Sequence, residues 1–106
     1  MKRVIIESPY AGDVERNIDY ARQCMVDSLD RGEAPFASHL LYTQEGILDD
    51  NKPDERQKGI DAGLAWSHLA SLVVFYVDYG MSAGMVYALE YHIRNGTKIE
   101  LRRIMH

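Results

Sequence analysis

The stretch Leu72–His92, with the sequence LVVFYVDYGMSAGMVYALEYH, decides the fold. Its first part, LVVFYV, is apolar without alternation, which is typical of a strand covered on both faces in a parallel sheet. A turn rich in glycine follows, and Ser82 or Gly84 then opens a helix that Gly96 ends. A buried strand that leads through a glycine-rich turn into a helix is the repeating unit of α/β proteins.

The rest of the chain repeats this alternation of short strands and helices. Strand one is predicted at Arg3–Glu7, which is β-branched and apolar, and the last strand at the segment KIELR, Lys98–Arg102. The elements predicted between them are a helix from Asp13 to Gly32, a strand at Ala34–Ser38, a long loop from His39 to Lys52, and a helix from Pro53 to about Leu69.

This order of elements requires parallel pairing and right-handed connections. We therefore predict one domain over residues 1–106, an α/β, three-layer, Rossmann-like (flavodoxin-like) fold with a four-stranded parallel sheet in the order 2-1-3-4. Ligands of such sheets bind outside the carboxyl ends of the strands, where the chain reverses direction between strands one and three. Two loops meet there, SPYAGD at Ser8–Asp13 and DYGMSAG at Asp78–Gly84.

Composition excludes several classes of protein. The chain has 106 residues, with 12 Lys and Arg against 16 Asp and Glu, so nothing attracts it generally to nucleic-acid polymers or to an acidic membrane. The single cysteine, Cys24, cannot form a disulfide within the chain, which favours a cytoplasmic location. Glu7 interrupts the first apolar run too early for a signal peptide, and no run approaches the ~20 apolar residues of a membrane span.

The turn before the last helix has the composition of a phosphate-binding loop. Glycines let backbone amides approach an anion, Ser82 adds a hydroxyl donor, and the N-terminus of the helix carries unpaired N–H groups and a partial positive charge. The alternative is that Gly80 and Gly84 only form a tight connection, with Ser82 as the N-cap of the helix. Because a second such loop follows strand one, we favour a nucleotide as the ligand.

Other residues near this point are candidates for contacts with a nucleotide. Tyr10 and Tyr79 could stack on a base or ribose, or be ordinary core or surface aromatics. His39 could donate to a phosphate or sugar, or make a structural hydrogen bond. The predicted ligand-binding residues are Ser8, Pro9, Tyr10, Gly12, His39, Tyr79, Gly80, Met81, Ser82, Gly84 and Met85.

Outside these loops, one arginine and two histidines are considered as ligand contacts or metal ligands. Arg56 could reach the ligand or pair with Asp49 or Asp50. His68 and His92 have no second histidine or cysteine at the spacing of metal ligands, so we expect no metal and no cofactor.

Four segments together resemble the nucleoside 2-deoxyribosyltransferase-like superfamily, which includes nucleoside-monophosphate N-glycosidases and small phage and bacterial domains. They are SPYAG at Ser8–Gly12, NIDYAR at Asn17–Arg22, SHLLY at Ser38–Tyr42, and SAGMVYALEYHIRNG at Ser82–Gly96. In the glycosidases that it resembles, the last loop reads Ser-x-Gly-x-x-Tyr-Glu. Ser82, Gly84 and Tyr87 match this pattern, and Ala88 occupies the position of the glutamate.

In that group the serine and glycine bind the 5′-phosphate and the glutamate acts on the anomeric carbon. With Ala88 there, the resemblance implies a nucleotide-binding protein without a catalytic residue, which would capture a nucleotide-derived signal as a phage anti-defence protein and assemble as a homo-oligomer. One alternative is a nucleoside-monophosphate N-glycosidase or 2-deoxyribosyltransferase that uses Glu7, Asp78 or a carboxylate of another subunit. Another is an α/β interaction module with a degenerate pocket.

Overall fold

The computed structural model describes residues 1–105 and has a four-stranded, all-parallel sheet in the order β2-β1-β3-β4. The predicted fold class and strand order are therefore confirmed. The elements are β1 (Lys2–Glu7), α1 (Val14–Asp30), β2 (Glu33–Phe36), α2 (Ser38–Leu41), α3 (Pro53–Ser67), β3 (Leu72–Tyr76), α4 (Ala83–Arg94) and β4 (Ile99–Arg102).

Strand β3 forms the centre of the core, and all its residues are buried. Val74 and Tyr76 pack with Tyr20 and Cys24 of α1 on one face of the sheet. Residues that alternate with them pack on the other face, against α4, where Phe75 belongs to the same cluster as Met85 and Ala88. Since both faces of β3 are covered by helices, the absence of polar alternation in its sequence has a direct structural cause.

The second strand is shorter than predicted. It ends at Phe36, and the chain turns at Ala37 into the short helix α2, so Ser38 lies in a helix rather than in a strand. Close packing explains the turn, because a Cβ atom on Gly63 of α3 would lie 2.5 Å from the Ser38 Oγ. Helix α2 can occupy its place against α3 only because position 63 has no side chain.

A buried ion pair joins the start of β2 to the end of β4. Arg102 donates to both carboxylate oxygens of Glu33, from Nη1 at 2.8 Å and from Nη2 at 2.7 Å, and the Ser28 hydroxyl donates to the same carboxylate at 2.8 Å. The hydrogen bonds from Arg102 lower the pKa of Glu33 to about 2, although burial opposes them. Charge and hydrogen bonding thus offset the cost of burying both groups.

No helix within the described residues is long and apolar enough to cross a membrane.

Replacing one partner of this pair tests its contribution. Glu33→Gln should lower the free energy of unfolding at pH 7 by up to about 3–5 kcal/mol, because it removes the buried counter-charge of Arg102 and leaves the guanidinium paired only with the more exposed Glu100. The pKa of Glu33 lies below its ordinary value of 4.5, so the stabilisation is complete above pH 4.5 and is lost as the pH falls toward 2. Urea denaturation at pH 7 and pH 3 measures both effects.

The matched control is Glu90→Gln, because Glu90 is exposed on α4. This variant should leave stability nearly unchanged. Equal stability of the two variants at pH 7 would show that the buried pair contributes nothing.

Candidate functional site

A cavity of about 360 Å³, here called the cleft, lies beyond the carboxyl end of β1 and beside the start of α4. This volume lies within the usual range of small-molecule sites, about 300–1,000 Å³. Its lining residues are Glu7 at the end of β1, Ser8, Tyr10, Ala11 and Gly12 in the turn that follows, Ser38 and His39 of α2, Asp50, the α3 residues Arg56, Ile60, Gly63 and Leu64, the N-cap Ser82, and the α4 residues Ala83, Gly84, Met85 and Ala88.

The N-terminus of α4 forms one wall of the cleft. Ser82 is the N-cap, and its Oγ accepts a hydrogen bond from the Met85 amide at 3.3 Å. Ser82 is therefore the N-cap of the helix, as one of the two interpretations of the sequence expected. Because its oxygen accepts in this bond, its hydroxyl proton remains free to be donated to a ligand. The amides of Ala83 and Gly84 donate to no acceptor within residues 1–105. Unpaired amides at the start of a helix favour an anion.

Arg56 of α3 lies across from this helix start. A Cβ atom on Gly84 would lie 3.7 Å from the Arg56 Nη2, so the guanidinium group and the first turn of α4 face each other. Of the two alternatives considered for Arg56, the ion pair with Asp49 or Asp50 is absent, since Arg56 forms no ion pair with any residue in the described part of the chain. A positive charge and the unpaired amides therefore line the same end of the cleft.

Ser8 and His39 form a hydrogen-bonded pair in the wall of the cleft. The Ser8 Oγ lies 2.6 Å from the His39 Nε2, which is the structural bond foreseen as one alternative for His39. Burial lowers the pKa of His39 to about 4, so its imidazole is neutral at pH 7. A neutral imidazole and a hydroxyl that both line a cavity suit a ligand with hydroxyl groups, because each can donate or accept.

Glu7 contributes a carboxyl group to the cleft. It is the last residue of β1 and is half-buried, and its carboxyl group makes no hydrogen bond or ion pair with any of residues 1–105. Burial raises the pKa of Glu7 to about 8, so the group is mostly protonated at pH 7. Ala88 lines the same cleft, and no carboxylate is present at its position.

Several predicted contact residues lie elsewhere. Tyr79 does not line the cleft; its ring packs edge-on against Tyr20 at 4.8 Å and lies 4.0 Å from the Arg16 guanidinium carbon. Gly80 adopts φ +78° in the turn after β3, which explains the glycine without a ligand. The residues of the predicted set that do not line the cleft are Pro9, Tyr79, Gly80 and Met81.

Asp78 is also absent from the cleft. Its carboxylate accepts hydrogen bonds from the Tyr20 hydroxyl at 2.5 Å and from the amides of Ile104 and Met105 at 3.0 and 2.8 Å. Burial raises the pKa of Asp78, but these bonds together bring it below its ordinary value. Asp78 thus holds the C-terminal segment in place, and its location contradicts the catalytic role considered for it.

Helix α3 supplies contacts that the sequence analysis missed. Arg56, Ile60, Gly63 and Leu64 all line the cleft, and only Arg56 was considered as a contact. Their spacing of four, seven and eight residues places them on one face of a helix. This pattern was visible in the sequence, but nothing in the sequence showed which face of α3 would meet the cleft.

A second cavity of about 660 Å³ adjoins the cleft and shares Tyr10, Ala11, Gly12, Asp50 and Arg56 with it. The loop that follows α2 provides most of its other lining, including the acidic residues Glu45 and Asp49. The region beyond Arg56 is therefore negatively charged, which disfavours a long chain of phosphates there.

No group of three or more His, Cys, Asp or Glu residues within the described residues could hold a metal ion.

The model of a family described as "Domain of unknown function (DUF7768)" matches residues 2–102 of the chain. None of the curated proteins matches it. The resemblance to nucleoside 2-deoxyribosyltransferases is not addressed by either finding and stays a prediction.

The unpaired carboxyl group of Glu7 should cost stability at alkaline pH. The pKa of Glu7 is about 8 in the folded chain, against 4.5 ordinarily, so the folded state holds its proton more tightly. The contribution of Glu7 to stability is full below pH 4.5 and is lost as the pH rises through 8. The parent therefore loses stability between pH 5 and pH 8.5, whereas Glu7→Gln does not. The free energy of unfolding of Glu7→Gln, relative to that of the parent, should rise by a few kcal/mol at most over this range.

Urea denaturation at both pH values measures this difference, with Glu90→Gln as the control on an exposed glutamate. A Glu7→Gln variant whose stability relative to the parent is the same at both pH values would show that Glu7 has an ordinary pKa.

Proposed function

The chain belongs to the DUF7768 family, a domain of unknown function, and from the geometry of its cleft we propose that it is a non-catalytic nucleotide-binding protein. The observation that carries the proposal is the pair of unbonded amides of Ala83 and Gly84 beside the unpaired Arg56. A phosphate group placed there would accept hydrogen bonds from all three residues. Guanidinium groups and the free amides of helix N-termini both suit phosphate, because they present several N–H donors and positive charge.

The remainder of the cleft suits a sugar and a base. Ser8 and His39 offer hydrogen-bonding groups to sugar hydroxyls, and Tyr10 offers an aromatic ring in the lining of the cleft. Ile60 and Leu64 of α3 give an apolar wall. A largely apolar cavity with a few polar groups in defined positions is the usual form of a small-molecule site.

The proposal that the protein does not turn its ligand over rests on Ala88. Its methyl group lines the cleft where the resemblance places the reactive glutamate. Loss of such a residue from an otherwise intact site lowers turnover by roughly 10⁴- to 10⁶-fold. A protein of this kind acts by stoichiometric capture, which suits sequestration of a nucleotide-derived signal by a phage anti-defence protein in the cytoplasm of its host.

We also propose that the chain forms a homo-oligomer. Trp66 and Leu69, at and just beyond the end of α3, are 51% and 56% exposed, and a second copy would cover them.

A second candidate function is N-glycosidic cleavage or deoxyribosyl transfer, and the position of Glu7 favours it. As the C1′–N bond breaks, its electron pair goes to the base, which takes the proton of Glu7. Water, or a second base in the transfer reaction, then adds to C1′ and returns a proton to the Glu7 carboxylate. A protonated carboxyl group in the cleft is suited to this role of general acid.

Binding is tested by isothermal titration calorimetry with the four ribonucleoside 5′-monophosphates and with inorganic phosphate. Gly84→Ala should reduce the affinity at least tenfold, because its methyl group would project toward Arg56, into the proposed phosphate position. The same change should preserve the fold, since 3.7 Å is an ordinary contact distance and alanine is the better helix former. Arg56→Met should also weaken binding at least tenfold through loss of the charge.

Arg94→Met is the matched control, because Arg94 is exposed at the end of α4, away from the cleft. Chromatography after denaturation should return the nucleotide intact. Free base that accumulates with time would instead support the second candidate. A parent protein that binds none of these ligands at millimolar concentration would refute both functions and leave the interaction module.

A further inference from the structure

Glu7 supplies the carboxyl group of β1 to the cleft, and the protein leaves its hydrogen-bonding capacity unused, as it does for Arg56 and the first amides of α4. Ser8 and His39 bond to each other, and Ser82 accepts from the Met85 amide. The Glu7 carboxyl group has neither a hydrogen-bond partner nor an ion-pair partner within the residues that the structure describes. A half-buried carboxyl group that opens onto a cavity and has no protein partner is placed to bond with what enters the cavity.

The surroundings of Glu7 favour its neutral form. The other titratable or charged groups that line the cleft are Tyr10, His39, Asp50 and Arg56, which come from the turn after β1, from α2, from the following loop and from α3. None of them forms an ion pair with Glu7. Helix α4 contributes only Ser82–Met85 and Ala88 to the lining, and β3 places Phe75 beside Glu7 in the sheet. An ionised Glu7 would be an uncompensated charge.

We propose that Glu7, as a neutral carboxylic acid, donates a hydrogen bond to an acceptor atom of the bound nucleotide and so determines which ligands the cleft accepts. This inference rests on the proposed nucleotide-binding function. A protonated carboxyl has one O–H donor, whereas the carboxylate only accepts and would also repel a phosphate. Ligands with an acceptor at this point, such as a ring nitrogen, a carbonyl or an ether oxygen, are favoured over ligands with a donor there.

The proposal gives binding a defined pH dependence. Only the protonated fraction of the free protein is competent, so the apparent dissociation constant rises as Glu7 loses its proton. Burial raises the pKa of Glu7 to about 8. Affinity should therefore fall by about tenfold between pH 7 and pH 9. The second ionisation of a phosphate monoester, at about pH 6, lies below this window.

Calorimetric titration with the four ribonucleoside 5′-monophosphates at pH 7, 8 and 9 tests this dependence. Glu7→Gln keeps a donor and carries no charge, so its affinity should stay within about threefold of the parent value at pH 7 and remain nearly constant to pH 9. Glu90→Gln, on the exposed face of α4, should follow the pH dependence of the parent. Circular dichroism verifies that each variant is folded.

Proton uptake gives a second measurement. In buffers with different enthalpies of ionisation, the parent should take up close to half a proton per ligand at pH 8, and Glu7→Gln should take up none. Parent affinity that is constant or that rises with pH would overturn the proposal, because Glu7 would then be irrelevant or would act as an acceptor. Base release that Glu7→Gln abolishes would overturn it in favour of a proton donor in catalysis.

Failure of the proposed function has a different signature. In that case the parent protein binds neither the monophosphates nor inorganic phosphate at any pH. The proposal that Glu7 donates a hydrogen bond to the ligand would then be refuted together with the proposed function. Binding with the wrong pH dependence, in contrast, refutes only the role of Glu7.

Discussion

The parallel pairing of β1 with β3 is the constraint on which the rest of the structure depends. The register runs from Val4 opposite Leu72 to Glu7 opposite Phe75, so the carboxyl ends of both strands reach the same edge of the sheet. From that edge, one strand continues into the turn that carries Ser8 and Tyr10, and the other leads to the N-terminus of α4. The cleft exists because two segments about seventy residues apart in sequence must leave the sheet side by side.

Two glutamates show how the same side chain serves the fold and the site. Glu33 is buried with Arg102 and Ser28, and their hydrogen bonds lower its pKa to about 2. Glu7 lies at the edge of the cleft without a partner, and burial raises its pKa to about 8. The first keeps its charge because the protein compensates it, while the second is neutral because the protein does not. A group that costs stability at a cavity is a sign of function rather than of folding.

The start of α4 both stabilises the fold and lines the cleft. Ser82 caps the helix, which is the structural alternative considered for it, and the amides of Ala83 and Gly84 beside this cap stay free at the end of α4 that faces Arg56. The structural and functional interpretations of Ser82 are therefore compatible. Glycine at position 84 leaves the space in front of the guanidinium group open, while Gly63 lets α2 approach α3 and bring His39 to Ser8. Small residues shape the cleft at both of these contacts.

Local patterns were enough to predict the architecture. The unalternating LVVFYV indicated a central strand, and the succession of strands and helices implied parallel pairing in the observed order. The same patterns predicted a site at the ends of strands one and three with contacts from Ser8, Tyr10, His39, Ser82 and Gly84, and these five residues do line one cavity. Periodicity and connection rules act along the chain, so a single sequence contains them.

The contacts between segments that are distant in the sequence could not be predicted from these local patterns. Tyr79 and Asp78 follow β3 directly, yet they turn toward Tyr20 and the C-terminal segment, while Arg56 and Leu64 reach the cleft from α3. The end of β2 at Phe36 likewise depends on how α2 packs against α3. The pKa of Glu7 is also a property of its surroundings, because burial and the absence of a partner are set by residues from several elements. Such features depend on which side chains meet in three dimensions, and no local spacing encodes that.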